Sequence, residues 1–246
     1  MIVLIINIIK IAFLLGFLIT IHEGGHFLVA KLCKVKVNEF SIGFGPELIS
    51  KQAKETKYTL RLIPIGGYVN MEGEEERSDA EGSFSKASIF KRILIVAAGA
   101  TVNILFGLVT FFIIVASKTD ILNAVEGLKY FFSSLFEGIK MLFNGKAFKE
   151  EQLTGIVGIS DIVVKTQGIA HYLYTLAIIS VSLGITNLLP IPPLDGGKIV
   201  FLIIEAIRKK PLKENIEYKI QMLGFAIMIY ITIFVTYKDI LRLFFS

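Results

Sequence analysis

Residues 2–32 read IVLIINIIKIAFLLGFLITIHEGGHFLVAKL, an apolar run that carries the motif HEGGH at residues 22–26. A run of this length can cross a bilayer as a tilted helix. In a helix, His22 and His26 lie on one face, where both imidazoles can bind one Zn²⁺, and Glu23 stands where a general base for water is needed. Ionisable groups inside an apolar helix are costly, which makes them functional candidates. The alternative is a histidine pair near a helix end that only forms hydrogen bonds.

The composition is that of an integral membrane protein. Of the 246 residues 54% are hydrophobic, with 20 Phe and no Trp, and several long apolar runs are typical of membrane spans. The net charge of +5 matters through where the Lys and Arg lie, because they crowd cytoplasmic loops; it does not indicate a nucleic-acid partner. A lone Cys33 excludes an internal disulfide and any multi-cysteine metal site.

The apolar pattern predicts an α-helical integral membrane protein that forms one domain over residues 1–246, with about four transmembrane helices. The predicted spans are residues 2–32, 93–116, 169–190 and 219–245. Residues 119–168 separate the second and third spans; their first half has helically spaced apolar residues interrupted by charges, which predicts an amphipathic helix in the membrane interface. Residues 143–168 are expected to be loop-like. We also expect the first helix to fray just after His26, because the lysines from Lys31 onward mark an interface.

Residues 35–71 have a different texture. Apolar residues nearly alternate with polar ones, and Gly and Pro interrupt them, a pattern that predicts a small membrane-associated β-hairpin or sheet. Gly43-Phe44-Gly45-Pro46 is a candidate re-entrant tip, because irregular backbone at membrane depth needs protein or a water-filled cavity around it. An ordinary surface hairpin is the alternative.

The loop at residues 187–197, NLLPIPPLDGG, is the second stretch with predicted chemistry. Its prolines break the third span and its glycines allow unusual turns. Asp195 at this break suits a third zinc ligand, which would leave the fourth position open as catalytic sites require. The alternative is that Asp195 caps a helix from Lys198 to Lys210; both roles are compatible.

Asn103 lies in the second predicted span, after the small residues Ala97-Ala98-Gly99-Ala100. Small residues let helices approach closely, and a buried Asn needs a partner, so this face is expected to pack against the active site. We count Asn103 among the candidate substrate-binding residues. An interhelical hydrogen bond without a catalytic role is the alternative.

The distribution of basic residues predicts the orientation. Residues 34–92 hold ten Lys and Arg and residues 198–219 hold six, whereas the six in residues 118–165 are spread thinly. Basic loops stay in the cytoplasm. The sequence therefore predicts a multi-pass protein of the cell membrane with both termini outside, and His22 and Asp195 both approach the cytoplasmic side.

The HEGGH motif and the loop ending in Leu194-Asp195-Gly196 together resemble the site-2 protease family of intramembrane zinc metalloproteases, in its bacterial branch. Further matching stretches follow in the family's order, and with them the resemblance covers most of the chain: GFGP at 43–46, GGYVNM at 66–71, AGATVN at 98–103 and GIVGI at 155–159.

The resemblance implies that His22, His26 and Asp195 bind zinc and that Glu23 is the catalytic base. It also implies that Gly43, Phe44 and Gly45 belong to a membrane-embedded β-loop that holds an extended substrate. Asn187 would contact the unwound substrate backbone. The implied activity is hydrolysis of a peptide bond within or near a transmembrane segment of single-span membrane proteins, of the anti-sigma-factor or signal-peptide-remnant type.

The sequence departs from the family pattern in two ways. Many relatives carry a PDZ domain between the second and third spans, and residues 117–168 are too short for one. Ala100 and Gly24 stand where relatives often have proline and a bulkier residue, and each of the two adjacent glycines, Gly24 and Gly25, weakens the helix by roughly 1 kcal/mol relative to alanine.

Two other classes of function compete with the protease. A metal transporter would need several polar ligands along a path through the bilayer, whereas these candidates cluster at one depth. A catalytically dead scaffold would lack a ligand or the base, and none is missing.

Overall fold

The computed structural model describes residues 2–143 and 155–245, which contain seven α-helices and two β-strands. The helices are α1 (Ile2–Leu32), α2 (Ile89–Ala116), α3 (Ile121–Phe143), α4 (Ile156–Lys165), α5 (Ile169–Asn187), α6 (Asp195–Arg208) and α7 (Glu214–Phe245). The strands are β1 (Val37–Ala53) and β2 (Thr56–Met71).

Four of these helices are long and apolar enough to cross a membrane. They are the segments Ile5–Leu32, Ile89–Ala116, Ile169–Asn187 and Glu214–Arg242. The predicted fold class, a four-span helical membrane protein with a small sheet and an amphipathic helix, is confirmed. The bounds differ locally: α2 and α7 begin four or five residues earlier than predicted, and α5 ends at Asn187, ahead of Pro190.

The prediction that α1 frays just after His26 is wrong, because the helix continues to Leu32. The last turns of α1 carry Ala30, which is fully buried against Val35 and the sheet residue Val37. Burial of this apolar face offsets the low helix propensity of the two glycines upstream.

β1 and β2 form one antiparallel sheet, as the alternating pattern predicted. The hairpin closes between Ala53 and Thr56, and the other end of the sheet pairs Val37 with Met71. Gly43 and Gly45 have φ values of +87° and +84°, which glycine adopts at little cost. The register shifts on either side of them, so that residues 39–42 of β1 pair with two separate segments of β2.

The chain divides into two compact units, one of which comprises residues 12–104 and 183–225. The buried core of this unit joins the end of α1, the base of the sheet, α2 and α6. Its members are Ala30, Val35, Val37, Val69, Met71, Phe84, Ile95, Val96 and Leu202. All the candidate site residues belong to this unit.

The other unit comprises residues 1–11, 105–182 and 226–246. The predicted amphipathic helix is present as α3, whose Phe131 stacks on Phe111 of α2 at a centroid distance of 5.0 Å. Residues 143–168 are less irregular than predicted, because they include α4; residues 144–154 lie outside the described residues. A ten-residue helix between glycines is too short to give a clear periodic signal.

Candidate metal centre

Two separate helices bring the three predicted metal ligands together. His22 and His26 lie one turn apart on α1, and their Nε2 atoms are 3.2 Å from each other. Asp195, the first residue of α6, places its Oδ2 atom 3.2 Å from Nε2 of His22 and 3.4 Å from Nε2 of His26. Three donor atoms from residues 173 positions apart in the chain therefore form a nearly equilateral triangle.

The triangle has the size that zinc requires. Bonds of about 2.0–2.1 Å in a tetrahedral site separate neighbouring donors by about 3.3–3.4 Å. Two imidazole nitrogens and one carboxylate oxygen are also a ligand set that zinc favours. Among the described residues, these three form the one group of His, Cys, Asp and Glu side chains that could hold a metal ion.

Burial of these three polar side chains costs free energy unless a cation binds between them. Both histidines are 8% exposed, and Oδ2 of Asp195 is buried without a conventional hydrogen-bond partner. Burial would raise the pKa of the Asp195 carboxyl, but the neighbouring His22 and His26 outweigh it and hold that pKa well below its usual range. The carboxylate is thus ionised and faces two ring nitrogens, which a metal ion would bind.

The loop at residues 187–197 sets the position of Asp195. The helix α6 begins at Asp195 with Leu194 at its N-cap, and no side chain caps it, so the alternative that Asp195 is the N-cap is wrong. Gly196 and Gly197 are buried, and a Cβ at Gly197 would lie 2.7 Å from the backbone nitrogen of Pro192. Glycine is needed here because the preceding loop packs directly on the first turn of α6.

The helix α2 packs against both histidines. A Cβ added at Gly99 would overlap Nε2 of His26 and lie 2.9 Å from Cε1 of His22. One turn before Gly99, the carbonyl oxygen of Ile95 is 2.8 Å from Nδ1 of His26. One turn after it, Nδ2 of Asn103 is 3.5 Å from Nδ1 of His22. Residues 95, 99 and 103 therefore form one stripe that faces both imidazole rings.

Glu23 points from α1 towards the sheet. A Cβ added at Gly67 of β2 would lie 3.3 Å from Cγ of Glu23 and 3.7 Å from Cγ2 of Ile19. About two turns earlier on α1, a Cβ added at Gly16 would lie 2.7 Å from the carbonyl oxygen of Pro64. The strand β2 thus runs beside the predicted catalytic base.

The other predicted site residues lie in distinct places. Gly43 and Gly45 flank Phe44, whose ring packs over Gly66 and is 48% exposed. The carbonyl oxygen of Gly45 accepts a hydrogen bond of 2.9 Å from Arg61. Asn187 is the half-buried last residue of α5. These four residues contact the sheet or end a helix, whereas Asn103 contacts His22 directly.

Sequence reasoning missed one ion pair next to the centre. Lys198, one turn after Asp195 on α6, donates a hydrogen bond of 2.8 Å to Glu74, and the Glu74 carboxylate raises the pKa of the Lys198 ammonium. Glu74 lies in the acidic stretch of residues 72–81, and a charge run of this kind is ordinarily typical of a solvated surface. Its position three residues after a strand gave no sign that it meets α6.

The contacts of Ile95 and Gly99 on α2 with the histidines were also not predicted from the sequence. Ile95 acts through its backbone carbonyl, which any residue would supply, so no side-chain signal exists. Gly99 was visible only as a member of a run of small residues.

Comparison with known proteins agrees with this centre. The sequence pattern of peptidase family M50 matches residues 10–231. Three proteins with the name "Putative zinc metalloprotease" are similar over nearly their whole lengths. The one from Clostridium acetobutylicum is 28% identical, over 95% of this chain and 97% of the relative. The one from Fusobacterium nucleatum is 27% identical, over 94% and 97%, and that from Streptococcus pneumoniae R6 is 25% identical, over 98% and 100%.

No PDZ domain is found in the chain, and the described parts of residues 117–168 are helical. The matched range includes both histidines, Glu23 and Asp195, together with part or all of each of the four candidate spans. The chain therefore belongs to peptidase family M50, the site-2 protease family, and is a membrane zinc metalloprotease.

Proposed function

We propose that this metalloprotease hydrolyses a peptide bond within or near a transmembrane segment of another membrane protein. His22, His26 and Asp195 hold the zinc ion, and Glu23 is the general base. The observation that carries the proposal is the triangle of donor atoms, with sides of 3.2–3.4 Å. Two of its corners stand on a helix long and apolar enough to cross a membrane.

Bound zinc in such a site supplies Lewis-acid polarisation of a carbonyl group and activation of water. The Glu23 carboxylate takes the proton from the attacking water and delivers it to the nitrogen of the leaving amine. The backbone of Gly67 packs closely on Glu23, because any Cβ there would lie 3.3 Å from Cγ of Glu23. Strand β2 thus lies directly beside the base.

The substrate must be extended where it is cut, because a helix hides its carbonyl groups in internal hydrogen bonds. An extended segment can add to the edge of a sheet through backbone hydrogen bonds. β2 passes Glu23 at Gly67, so a strand added along this part of the sheet brings its peptide groups to the base. We assign Gly43, Phe44 and Gly45 to the same substrate-holding region, and Asn187 to a contact with the unwound backbone.

Single-span membrane proteins are the proposed substrates, of the kind represented by anti-sigma factors and remnants of signal peptides. They reach the enzyme from the lipid bilayer of the cell membrane. The active site faces the cytoplasmic side. Supporting this, the basic stretches of residues 34–92 and 198–219 belong to the same compact unit as the metal centre.

Glu23→Gln tests the catalytic assignment. The amide cannot accept the proton, so cleavage of a reconstituted single-span substrate is expected to fall by at least about 100-fold, while the zinc content per chain stays that of the wild type. Asp195→Ala is the converse variant, which loses zinc and activity together. Both quantities are measured on the purified protein, by metal analysis and by gel assay of the product.

Glu55→Gln is the matched control, because Glu55 is an exposed carboxylate paired with Lys31. This variant is expected to cleave the substrate at the wild-type rate. Retained cleavage in Glu23→Gln would contradict the role of Glu23. Retained zinc in Asp195→Ala would contradict the ligand set.

Metal transport makes a different prediction. Transport needs several ligand groups in series, and the described residues contain the one group at His22, His26 and Asp195. Zinc uptake into vesicles that carry the protein is expected to equal that into empty vesicles. Uptake that is lost in Asp195→Ala would favour the transporter.

A further inference from the structure

Asn103 is buried against a proposed zinc ligand, which is not the position expected of a substrate-binding residue. Its side chain is fully buried, and its amide lies against Nδ1 of His22 at 3.5 Å. The face of α2 that carries Asn103 also carries Gly99, where an added Cβ would collide with both imidazole rings. The proposed substrate region at Gly67 lies against Glu23.

Each of the two histidines needs a hydrogen-bond acceptor for its Nδ1 proton if it binds a metal through Nε2. Each directs Nε2 towards the donor triangle, so a metal-binding ring must carry its proton on Nδ1. That proton needs an acceptor, which fixes the tautomer and the orientation of the ring. For His26 the acceptor is the carbonyl oxygen of Ile95, at 2.8 Å.

For His22 the corresponding group is Asn103, whose side-chain amide lies at Nδ1. An Asn side chain offers NH₂ at one end and oxygen at the other. When NH₂ faces Nδ1, the ring carries its proton on Nε2, and His22 cannot bind a metal through that atom. Rotation of the amide by 180° presents Oδ1 instead, which accepts the Nδ1 proton and frees Nε2.

We propose that Asn103 is a positioning residue for His22, and that it acts through Oδ1 as the acceptor of the Nδ1 proton in the zinc-loaded protein. α2 then supplies both acceptors, one from its backbone at Ile95 and one from a side chain two turns later. The inference rests on the proposed ligand role of His22. It replaces the substrate-binding role predicted for Asn103 from the sequence.

Asn103→Leu and Asn103→Asp separate the two roles. Leucine has a similar volume and no acceptor, so the affinity for zinc is expected to fall by about 10- to 100-fold, the usual loss when such a partner is removed. Aspartate accepts and does not donate, and it is expected to keep zinc affinity within a few-fold of the wild type. Zinc affinity is measured by chelator competition, and KM and kcat by cleavage of a single-span substrate at saturating zinc.

The matched control is Thr101→Val on the same helix, since Thr101 is exposed and its hydroxyl donates a hydrogen bond to the carbonyl oxygen of Ala97 in that helix. It is expected to change neither quantity. His22→Ala is included to test the underlying assignment, and it should abolish tight zinc binding.

The outcomes are distinguishable. Wild-type zinc affinity in Asn103→Leu with a raised KM would overturn the inference in favour of a substrate contact. Weak zinc binding in Asn103→Asp would overturn it as well, and this arm decides the question if the leucine variant does not fold. Unchanged zinc affinity in His22→Ala would instead remove the proposed metal site itself.

Discussion

At the scale of single residues, the two glycines of HEGGH have unequal surroundings. A Cβ added at Gly24 meets nothing within 4 Å, whereas one added at Gly25 would lie 2.7 Å from the carbonyl oxygen of Ala98 and 3.0 Å from Cα of Gly99. Gly25 is therefore the point where the backbones of α1 and α2 touch. Gly24 has no such contact, so alanine can replace it without overlap.

Gly24→Ala is expected to raise the free energy of unfolding by up to about 1 kcal/mol, because alanine is the better helix former and has space. Gly25→Ala is expected to lower it by about 1–3 kcal/mol, because the overlap is with backbone and α2 must shift. Denaturant titration of the purified protein in detergent measures both. Equal effects at the two positions would contradict the tight contact between the helices.

The sequence could predict the spatial relation of those site residues that are close together in the chain. His22 and His26 lie one turn apart, so their spacing alone predicted a common face. Asp195 was found through the prolines that break the helix before it. The contacts that α2 makes with the histidines could not be predicted, because the pairing of Ile95 with His26 depends on how two helices pack. A backbone carbonyl also has no sequence signal.

At the scale of elements, Asp239 of α7 holds the short helix α4. Its side chain is 2% exposed, and Oδ2 accepts hydrogen bonds of 2.9 Å and 2.8 Å from the backbone N–H groups of Gly155 and Gly158. These groups belong to the start of a helix, where N–H groups lack partners within the helix and a carboxylate is favoured. A side chain of α7 thus caps α4.

Asp239→Ala is expected to destabilise α4 by about 2 kcal/mol or more, since it removes a cap and leaves two backbone donors without this acceptor. Faster amide hydrogen exchange in residues 156–165 would report the loss. Asp161→Ala is the control, because Asp161 forms a solvent-accessible pair with Lys165 worth little to stability. Unchanged exchange in Asp239→Ala would contradict the capping role.

The same scale shows where element prediction succeeded. The long apolar helices and the alternating strands carry strong periodic signals, and they were predicted with errors of a few residues at their ends. α4 was missed because its ten residues depend on a cap from Asp239, about eighty positions later in the chain. The continuation of α1 to Leu32 was missed because burial of Ala30 outweighs a local preference to end.

At the scale of the whole molecule, the distribution of charge gives the proposed orientation in the membrane. The dense basic stretches lie mainly between α1 and α2 and between the start of α6 and the start of α7, and the segment between α2 and α5 holds few basic residues for its length. Lys and Arg near the ends of spans favour the cytoplasm. The loop after α2 and both termini are then outside, and the helix α6 with Asp195 lies on the cytoplasmic side.

Single cysteines test this orientation, because Cys33 is the one native cysteine and Cys33→Ser removes the background. Lys118→Cys, after α2, and Lys209→Cys, after α6, both stand at exposed positions. In intact cells a membrane-impermeant maleimide is expected to label Lys118→Cys and to leave Lys209→Cys unlabelled until the membrane is permeabilised. Cleavage activity of each variant serves as the control for native insertion. The reverse labelling pattern would place the basic loops outside and, with them, the metal centre.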